Sequence, residues 1–275
     1  FFSSSDNLEI GDVAFIPEKQ RPVRKEALTY YREVAKRKNL RIHSFERVTD
    51  IKKEKDRFIV ESEKDTYQAK FVIIATGYYD QPNYLHIPGE NLPKVTHYFK
   101  EAHPYYDKNV VIIGGKNSAV DAALELHKAG ANVTVLYRGA EYSKSIKPWI
   151  LPGFHSLIQK DKIKMIFNAH VTKITEDEVY YEVNGKEEKI DNDFVFAMTG
   201  YRPDVEFLHQ AGVETDSETG IPSYNEETYE TNVEGLYIAG VVAAGFNNNA
   251  IFIENGRFHG ERIADSIISK LSVKV

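Results

Sequence analysis

The 275-residue chain contains 42% hydrophobic and 28% charged residues, a composition typical of soluble globular proteins with one large or two modest domains. Its 35 Lys and Arg residues and 41 Asp and Glu residues give a formal charge of -6, which argues against a dedicated nucleic-acid-binding protein. The longest mostly apolar stretch, residues 236–246, is too short to span a bilayer as a helix. The absence of cysteine excludes a disulfide, a thiolate metal site or a redox dithiol within these residues, and it agrees with a reducing cytoplasm.

The first predicted helix covers residues 24–39, where apolar side chains recur at helical spacing. Residues 40–79 then contain three β-rich runs and an apolar strand that ends at Thr76 and Gly77. The following segment, 78–107, contains four prolines, so we predict an irregular connection there.

Residues 108–138 contain the clearest motif, a predicted strand–turn–helix–strand unit. Its parts lie at residues 110–113, 114–115, 117–128 and 132–137. The first strand is rich in Val and Ile, as buried parallel strands are, and Gly130 ends the helix. The order and length match the βαβ unit that binds dinucleotides.

Glycines before a helix allow the main chain to approach a pyrophosphate, which the helix N-terminus attracts through its unpaired N–H groups. We therefore predict that the turn at Gly114 and Gly115, with Lys116 and the start of the helix, binds a pyrophosphate. Lys116 departs from the fingerprint, which has glycine at this position. Its side chain either crowds the phosphates or points outward and adds positive charge. The alternative is a Gly-rich turn in an ordinary α/β fold.

The end of the second strand bears on which nicotinamide nucleotide binds. NAD sites carry Asp or Glu there, whereas NADP sites carry Arg for the 2′-phosphate. Arg138 follows this strand, no acid occurs before Glu141, and Lys144 and Lys147 add positive charge. We therefore predict NADP(H); the alternative is that Arg138 is a solvated strand-end charge.

Residues 163–202 repeat the pattern of 40–79. The offset is 123 in each of the matched pairs Val48/Val171, Phe71/Phe194 and Gly77/Gly200. The repeat indicates two related α/β halves. The same offset applied to Gly114 gives 114 − 123 = −9, so the repeat predicts that a first fingerprint would precede Phe1.

After the repeat we predict a strand over 235–239, a loop rich in Gly and Asn, and a helix over 249–271. The nine histidines show no spacing typical of metal ligands, so we predict no metal site.

Five stretches of the chain resemble one protein family: FFSSSDNLEIGDVAFIP, ATGYYDQPN, VIIGGKNSAVDAALEL, FVFAMTGYRPD and GFNNNAIFIENGRFHG. On these residues the chain resembles the YpdA-type bacillithiol-disulfide reductases of low-GC Gram-positive bacteria, in the thioredoxin-reductase-like branch of the pyridine-nucleotide–disulfide oxidoreductases. The resemblance covers essentially the whole chain apart from the family's N-terminal FAD fingerprint. It implies an α/β fold of two Rossmann-like domains, an FAD-binding domain at 1–106 and 204–275 and an NADPH-binding domain at 107–203.

The resemblance implies a flavoprotein oxidoreductase that passes electrons from NADPH via FAD to a low-molecular-weight disulfide, here bacillithiol disulfide, in cytoplasmic redox homeostasis. Its partner would be this small molecule, and it would bind neither nucleic acid nor a membrane. The resemblance leaves open whether the protein forms a homo-oligomer. The NADPH-binding residues that it implies are Gly114, Gly115, Asn117, Ser118 and Arg138. The remaining cofactor-binding residues that the resemblance implies are Thr76, Gly77, Gly200, Gly240, Asn248, Ala250 and Ile251.

Three departures from related reductases stand out. Related enzymes often carry Asp after the glycine of the YIAG motif to bind a ribityl hydroxyl, whereas this chain has Val241. Thioredoxin reductases proper carry a Cys-x-x-Cys pair, which is absent here. The single Cys of the YpdA-like proteins would lie outside these residues, so no catalytic residue is assigned.

Two other classes of function stay open at this stage. One is a ferredoxin or flavodoxin–NADP reductase or a flavin monooxygenase, which would share both cofactors. The other is a non-catalytic NADPH-binding redox sensor.

Overall fold

The computed structural model describes residues 3–247 and 249–272. The chain divides into two compact units. Unit 1 comprises Phe1–Gln81 and Tyr201–Val275, and unit 2 comprises Pro82–Gly200. The predicted boundaries place 82–106 with unit 1, whereas the structure places this segment in unit 2. The physical reason is that Val95–Thr96 forms a parallel strand beside Phe194–Ala197, so the predicted irregular connection carries an edge strand.

The helices and strands are numbered in chain order. The helices are α1 (Arg24–Arg37), α2 (Asn117–Lys128), α3 (Leu151–Gln159), α4 (Val205–Gln210), α5 (Ile253–Gly256) and α6 (His259–Ser272). The strands are β1 (Val48–Glu54), β2 (Arg57–Ser62), β3 (Thr66–Ala69), β4 (Val72–Ile74), β5 (Val95–Thr96), β6 (Asn109–Ile113), β7 (Asn132–Leu136), β8 (Ile163–Ile166), β9 (His170–Ile174), β10 (Glu178–Val183), β11 (Lys186–Asp191), β12 (Phe194–Ala197) and β13 (Leu236–Ile238). Short 3-10 helices lie at Ser5–Leu8, His103–Tyr105 and Gly240–Ala244.

Unit 2 is organised around a parallel sheet of five strands in the order β5-β12-β6-β7-β8. The central strands β6 and β7 are almost wholly buried, because Val, Ile and Leu side chains cover both faces of the sheet. Helix α2 packs its small and branched residues against the sheet, namely Ala119, Val120, Ala122, Ala123 and Leu126. The predicted helix bounds of 117–128 are those of α2.

Unit 1 contains a shorter parallel pair, in which β4 and β13 lie side by side with Ile74 opposite Ile238. Its core includes Phe58 of β2, Leu208 of α4 and Leu236 of β13. Helix α1 packs Tyr30 on Phe15 with ring centroids 4.4 Å apart, in a smaller apolar cluster with Leu8.

The internal repeat is visible as two antiparallel three-stranded sheets, one in each unit. In unit 1 the order is β1-β2-β3, and in unit 2 it is β11-β10-β9. Each sheet is followed in the chain by an apolar parallel strand, β4 or β12. In β10–β11 the turn contains Asn184 with φ 53° and Gly185 with φ 74°, as a tight hairpin turn requires.

The last predicted helix is divided in the structure. The sequence predicts one helix over 249–271, whereas α5 and α6 are separated at Arg257 and Phe258. The Arg257 guanidinium donates hydrogen bonds to the carbonyl oxygens of Asp6 and Glu9, both at 2.9 Å. This contact with a distant segment holds the chain between the two helices, and it leaves no local sequence pattern.

Candidate nucleotide-binding sites

The nucleotide site predicted in unit 2 lies at the carboxyl edge of its parallel sheet. Gly114 follows β6, Arg138 lies two residues after β7, and Thr199 lies two residues after β12. Ligands of open α/β sheets bind outside the carboxyl ends of the strands, where the strand order reverses. The topology therefore brings the predicted glycine turn and the predicted phosphate-binding arginine to one edge.

The Gly114–Gly115 turn is closely packed on both sides. Gly114 has φ 137°, and an added β-carbon would lie 2.3 Å from the carbonyl oxygen of Met198. At Gly115 an added β-carbon would lie 2.3 Å from the ring of Tyr137. The Gly114 N–H donates to the Leu136 carbonyl at 2.9 Å. Both glycines are therefore required by the protein's own packing.

The N-terminus of α2 fits an anionic pyrophosphate. Lys116 precedes the helix with extended backbone and an exposed side chain, and no side-chain hydrogen bond caps the helix. The first turn carries no acidic residue. The exposed Lys116 side chain therefore does not crowd the Gly114–Gly115 turn. Its ammonium group adds positive charge at the positive end of the helix dipole.

Asn117 has a structural role that its place in the motif does not reveal. Its side-chain amide donates to the Ser145 carbonyl oxygen at 2.7 Å, and its Oδ1 accepts the Lys147 N–H at 3.1 Å. The side chain therefore holds the 143–147 loop against the start of α2. Ser118, the next residue, is exposed.

The positive charge near Arg138 is distributed unevenly. Arg138 and Lys144 are exposed, as a phosphate contact needs. Lys147 is partly buried, and burial lowers its pKa, while burial raises the pKa of nearby Asp121. Arg138 and Lys144 are therefore better placed than Lys147 to meet a 2′-phosphate.

The flavin residues predicted in unit 1 lie at the carboxyl ends of its two parallel strands. Gly77 follows β4 with φ 72°, and Gly240 follows β13 with φ 74°. Among the described residues, nothing lies within 4 Å of a β-carbon added at Gly240. At Gly77 the nearest atom would be a methyl carbon of Val241, at 4.0 Å.

These two glycines leave open space where most residues would place a side chain. Main chain that is exposed at the ends of parallel strands allows a dinucleotide to approach closely. The residues of unit 1 therefore fit FAD at this edge. Val241 places a methyl group there in place of the carboxylate that related reductases often carry.

The other predicted flavin residues differ in their surroundings. Thr76 and Ala250 are exposed, whereas Ile251 packs against the apolar core of unit 1. Asn248 lies outside the described residues. Gly200 belongs to unit 2, and its carbonyl oxygen accepts the N–H of Asn83 at 2.9 Å. These assignments stay predictions.

Asn83 is a residue that the sequence reasoning missed. Besides its bond to Gly200, its carbonyl oxygen accepts the Thr199 hydroxyl at 2.6 Å, and its side chain donates to the Thr199 carbonyl at 3.3 Å. Asn83 thus fixes the segment after β12, at the carboxyl edge of the sheet where the nucleotide site is predicted. Its only sequence signal is its place in the ATGYYDQPN stretch.

A buried acid–base pair was also missed. Glu90 is 6% exposed, and its carboxylate accepts the N–H groups of Leu85 and His86 at 2.6 and 2.7 Å. The Nε2 atom of His97 lies 3.5 Å from the same carboxylate. Burial lowers the pKa of His97 although Glu90 opposes the shift. His97 directly follows β5, at the carboxyl edge of the sheet where the nucleotide site is predicted, whereas Glu90 precedes this strand.

Within residues 3–247 and 249–272, no group of three or more His, Asp or Glu side chains is arranged to hold a metal ion. In the same part of the chain, no helix has both the length and the apolar character needed to cross a membrane.

Comparison with known proteins defines the class. The profile of the pyridine nucleotide-disulphide oxidoreductases matches residues 1–240. The chain therefore belongs to this family of α/β oxidoreductases with Rossmann-like domains, which use FAD and a nicotinamide nucleotide.

Individual relatives are much closer. The chain is 64% identical to the bacilliredoxin reductase Bdr of Bacillus subtilis over 272 residues, which cover 98% of this chain and 84% of that protein. It matches the structure of the bacillithiol disulfide reductase Bdr (YpdA) from Bacillus cereus with a TM-score of 0.96 and 60% identity, covering 98% of this chain and 85% of the other. The corresponding Staphylococcus aureus structure gives a TM-score of 0.94 and 61% identity, covering 98% and 84%. The resemblance inferred from the sequence motifs is confirmed.

Proposed function

We propose that this protein is an NADPH-dependent flavoprotein reductase of bacillithiol disulfide. The observation that carries the proposal is the likeness, at a TM-score of 0.96 over 98% of the chain, to a structure named for that activity. The two glycine edges support it, because one fits the pyrophosphate of a nicotinamide nucleotide and the other leaves open space for FAD. Bound FAD would supply the two-electron chemistry that links NADPH to the disulfide, so that NADPH, the disulfide and one proton from solvent would give NADP⁺ and two thiols.

The chain's own residues bind and orient the nucleotides. The α2 N–H groups meet the pyrophosphate, and Arg138 with Lys144 meets the 2′-phosphate. Asn117 holds the loop that carries Lys144, and Asn83 fixes the segment after β12. In unit 1, Gly77 and Gly240 expose main chain to FAD. The sequence contains no cysteine, so no thiol of these residues takes part.

The direct test is NADPH oxidation by the protein with bacillithiol disulfide as acceptor, followed by NADPH absorbance and by counting thiols. We expect two thiols for each NADPH consumed, and little oxidation with glutathione disulfide. NADPH oxidation with ferredoxin but not with bacillithiol disulfide would overturn the proposal. Oxygen-dependent hydroxylation of a substrate would assign the protein to the monooxygenases, and binding of NADPH without turnover of any acceptor would assign it to the sensors.

A protein acceptor is the second candidate, because the relative that is 64% identical is named a bacilliredoxin reductase. Oxidised bacilliredoxin is therefore a further arm of the same assay. A higher kcat/KM with the purified redoxin than with bacillithiol disulfide alone would favour the protein acceptor. Both candidates act in the thiol pool of the cytoplasm, where we also place this protein.

A further inference from the structure

His259 is a buried histidine in unit 1, and it lies in the GFNNNAIFIENGRFHG stretch without a role assigned to it there. It is the first residue of α6, and it is 5% exposed. Its Nδ1 atom accepts the backbone N–H of Gly240 at 3.1 Å. Because a backbone N–H can only donate, this contact requires a lone pair on Nδ1 and assigns the ring proton to Nε2.

The ring of His259 is held by an aromatic stack. It lies parallel to Tyr229, with centroids 4.1 Å apart and planes 20° apart. Tyr229 in turn stacks on Tyr224 at 5.6 Å, and the Arg262 guanidinium lies 6.0 Å from the Tyr229 ring. A ring fixed in this way presents its Nδ1 atom in one direction.

Tyr229 also forms a hydrogen bond with β13, the strand that leads to Gly240. Its carbonyl oxygen accepts the N–H of Ile238, the last residue of β13, at 2.9 Å. Tyr229 has φ 59°, a conformation that few non-glycine residues adopt and that the surrounding contacts must hold. The stacked pair therefore holds the chain on both sides of Ala239, at Ile238 and at Gly240.

The other surroundings of Gly240 leave one side of it open. A β-carbon added at Gly256 of α5 would lie 3.6 Å from the α-carbon of Gly240, so α5 packs closely there. The position where Gly240 itself would carry a β-carbon has no described neighbour within 4 Å. Helix α5 and His259 thus support the Gly240 turn on one side. The other side is open, where the flavin nucleotide is proposed to bind.

We propose that His259 is a positioning residue, which orients the Gly240 turn for FAD when the ring is neutral and releases it when the ring is protonated. The proposal rests on the flavin site proposed above. Protonation places an N–H on Nδ1, opposite the N–H of Gly240, so the hydrogen bond is lost.

The charged and titratable groups around the ring favour the neutral form. Arg262 lies on the same helix, and Tyr229 and Tyr224 lie in the stacked segment. The Glu226 carbonyl oxygen accepts from Arg262 at 3.4 Å, and residues 239–244 contain no titratable side chain. Burial, with the Arg262 charge, lowers the pKa of His259 below its usual 6.5, so the ring is neutral at neutral pH. The ring is therefore charged only at a pH below this usual value.

The test measures the FAD dissociation constant of the apoprotein by flavin fluorescence, from about pH 5.5 to about pH 8. The variants are His259→Asn, whose side-chain oxygen replaces Nδ1 as the acceptor, and His259→Leu, which removes the acceptor. At pH 8 we expect His259→Leu to weaken FAD binding about tenfold, because it leaves the Gly240 N–H without its acceptor, and His259→Asn to stay within about threefold of the wild type.

The pH profile separates positioning from a structural role. The wild-type FAD dissociation constant should rise toward pH 5.5, by at most about tenfold per pH unit, because release is linked to uptake of one proton. The His259→Asn profile should be flat, and exposed His103→Asn serves as the matched control with a wild-type profile. Equal pH profiles for wild type and His259→Asn, or wild-type FAD affinity in His259→Leu, would overturn the inference.

Two further measurements keep the outcomes distinct. NADPH affinity of the His259 variants should equal that of the wild type, which shows that unit 2 is intact. Gly240→Ala tests the flavin site itself, because alanine at φ 74° is strained and fills the open side. Wild-type FAD affinity in Gly240→Ala would contradict the site, whereas loss of FAD there with unaltered His259 variants would contradict only the role of His259.

Discussion

The side-chain amide of Asn117, the first residue of α2, accepts the main-chain N–H of Lys147 at 3.1 Å, and it also donates to the Ser145 carbonyl. One side chain therefore ties the predicted pyrophosphate-binding helix to the loop that carries Lys144. The contact links the two parts of the proposed nicotinamide nucleotide site, which the sequence presents as separate motifs.

Removing this link should cost stability and NADPH affinity together. Asn117→Ala leaves one donor and one acceptor without their partner, so we expect the free energy of unfolding to fall by about 1–3 kcal/mol in denaturant titrations. NADPH affinity should fall with it, because the loop loses its anchor. Asn132→Ala removes only an exposed 3.3 Å bond to Asn109 and should change stability by less than about 0.5 kcal/mol. Equal stability losses in the two variants would contradict this role.

Gly115→Ala tests the packing of the turn. The new methyl group would lie 2.3 Å from the ring of Tyr137, so either the ring or the turn must move. We expect a stability loss of about 1–3 kcal/mol and weaker NADPH binding, measured by urea unfolding and nucleotide titration. Gly153→Ala is the matched control: this glycine lies in α3 with no atom described within 4 Å, and alanine there should stabilise the protein by about 0.5–1 kcal/mol.

Arg138→Ala tests the choice of nucleotide. A charge-assisted bond to a phosphate contributes about 1.5–3 kcal/mol, so we expect NADPH affinity to fall about 10- to 100-fold. NADH lacks the 2′-phosphate and its affinity should hardly change. Arg41→Ala, at an exposed arginine of unit 1, should alter neither affinity. An equal loss for both nucleotides would reject Arg138 as the 2′-phosphate contact.

The stability of the protein should fall in mild acid. Burial lowers the pKa of both His97 and His259 from the usual 6.5. The unfolded chain takes up protons at these residues near pH 6.5, whereas the folded protein does so only at lower pH. In the interval between, the unfolded state holds more protons, so the free energy of unfolding decreases as the pH drops below about 6.5.

Urea titrations at about pH 7.5 and about pH 5.5 measure this decrease. We expect it to be smaller in His97→Gln and in His259→Asn than in the wild type. Exposed His103→Gln should retain the wild-type decrease. A decrease of the same size in all four proteins would show that other groups account for it.

The sequence predicts those parts of the fold that follow from local pattern. The bounds of α2, the Gly114 turn and the repeated three-stranded sheets all follow from apolar periodicity and glycine placement, because these determine local backbone structure. Gly77 and Gly240 were identified through family motifs, and the structure adds that both have positive φ and open space beside them.

The parts that the sequence does not predict depend on contacts between distant residues. Asn83 fixes Thr199, and Tyr229 stacks on His259, through pairings that leave no periodic signal. The division of the last helix follows from Arg257 binding carbonyl groups near the start of the chain. The edge strand β5 has two residues, too few for any alternation to reveal it.

The discontinuity of unit 1 sets an order of events during synthesis on the ribosome. Unit 2 is one continuous segment and has all its strands as soon as Gly200 has emerged from the exit tunnel. Strand β4 must wait for β13, which is translated much later, so its edge stays unpaired in the nascent chain. A nascent chain that stalls before β13 therefore carries a complete unit 2 and an incomplete unit 1, whose unpaired β4 edge is a binding site for chaperones.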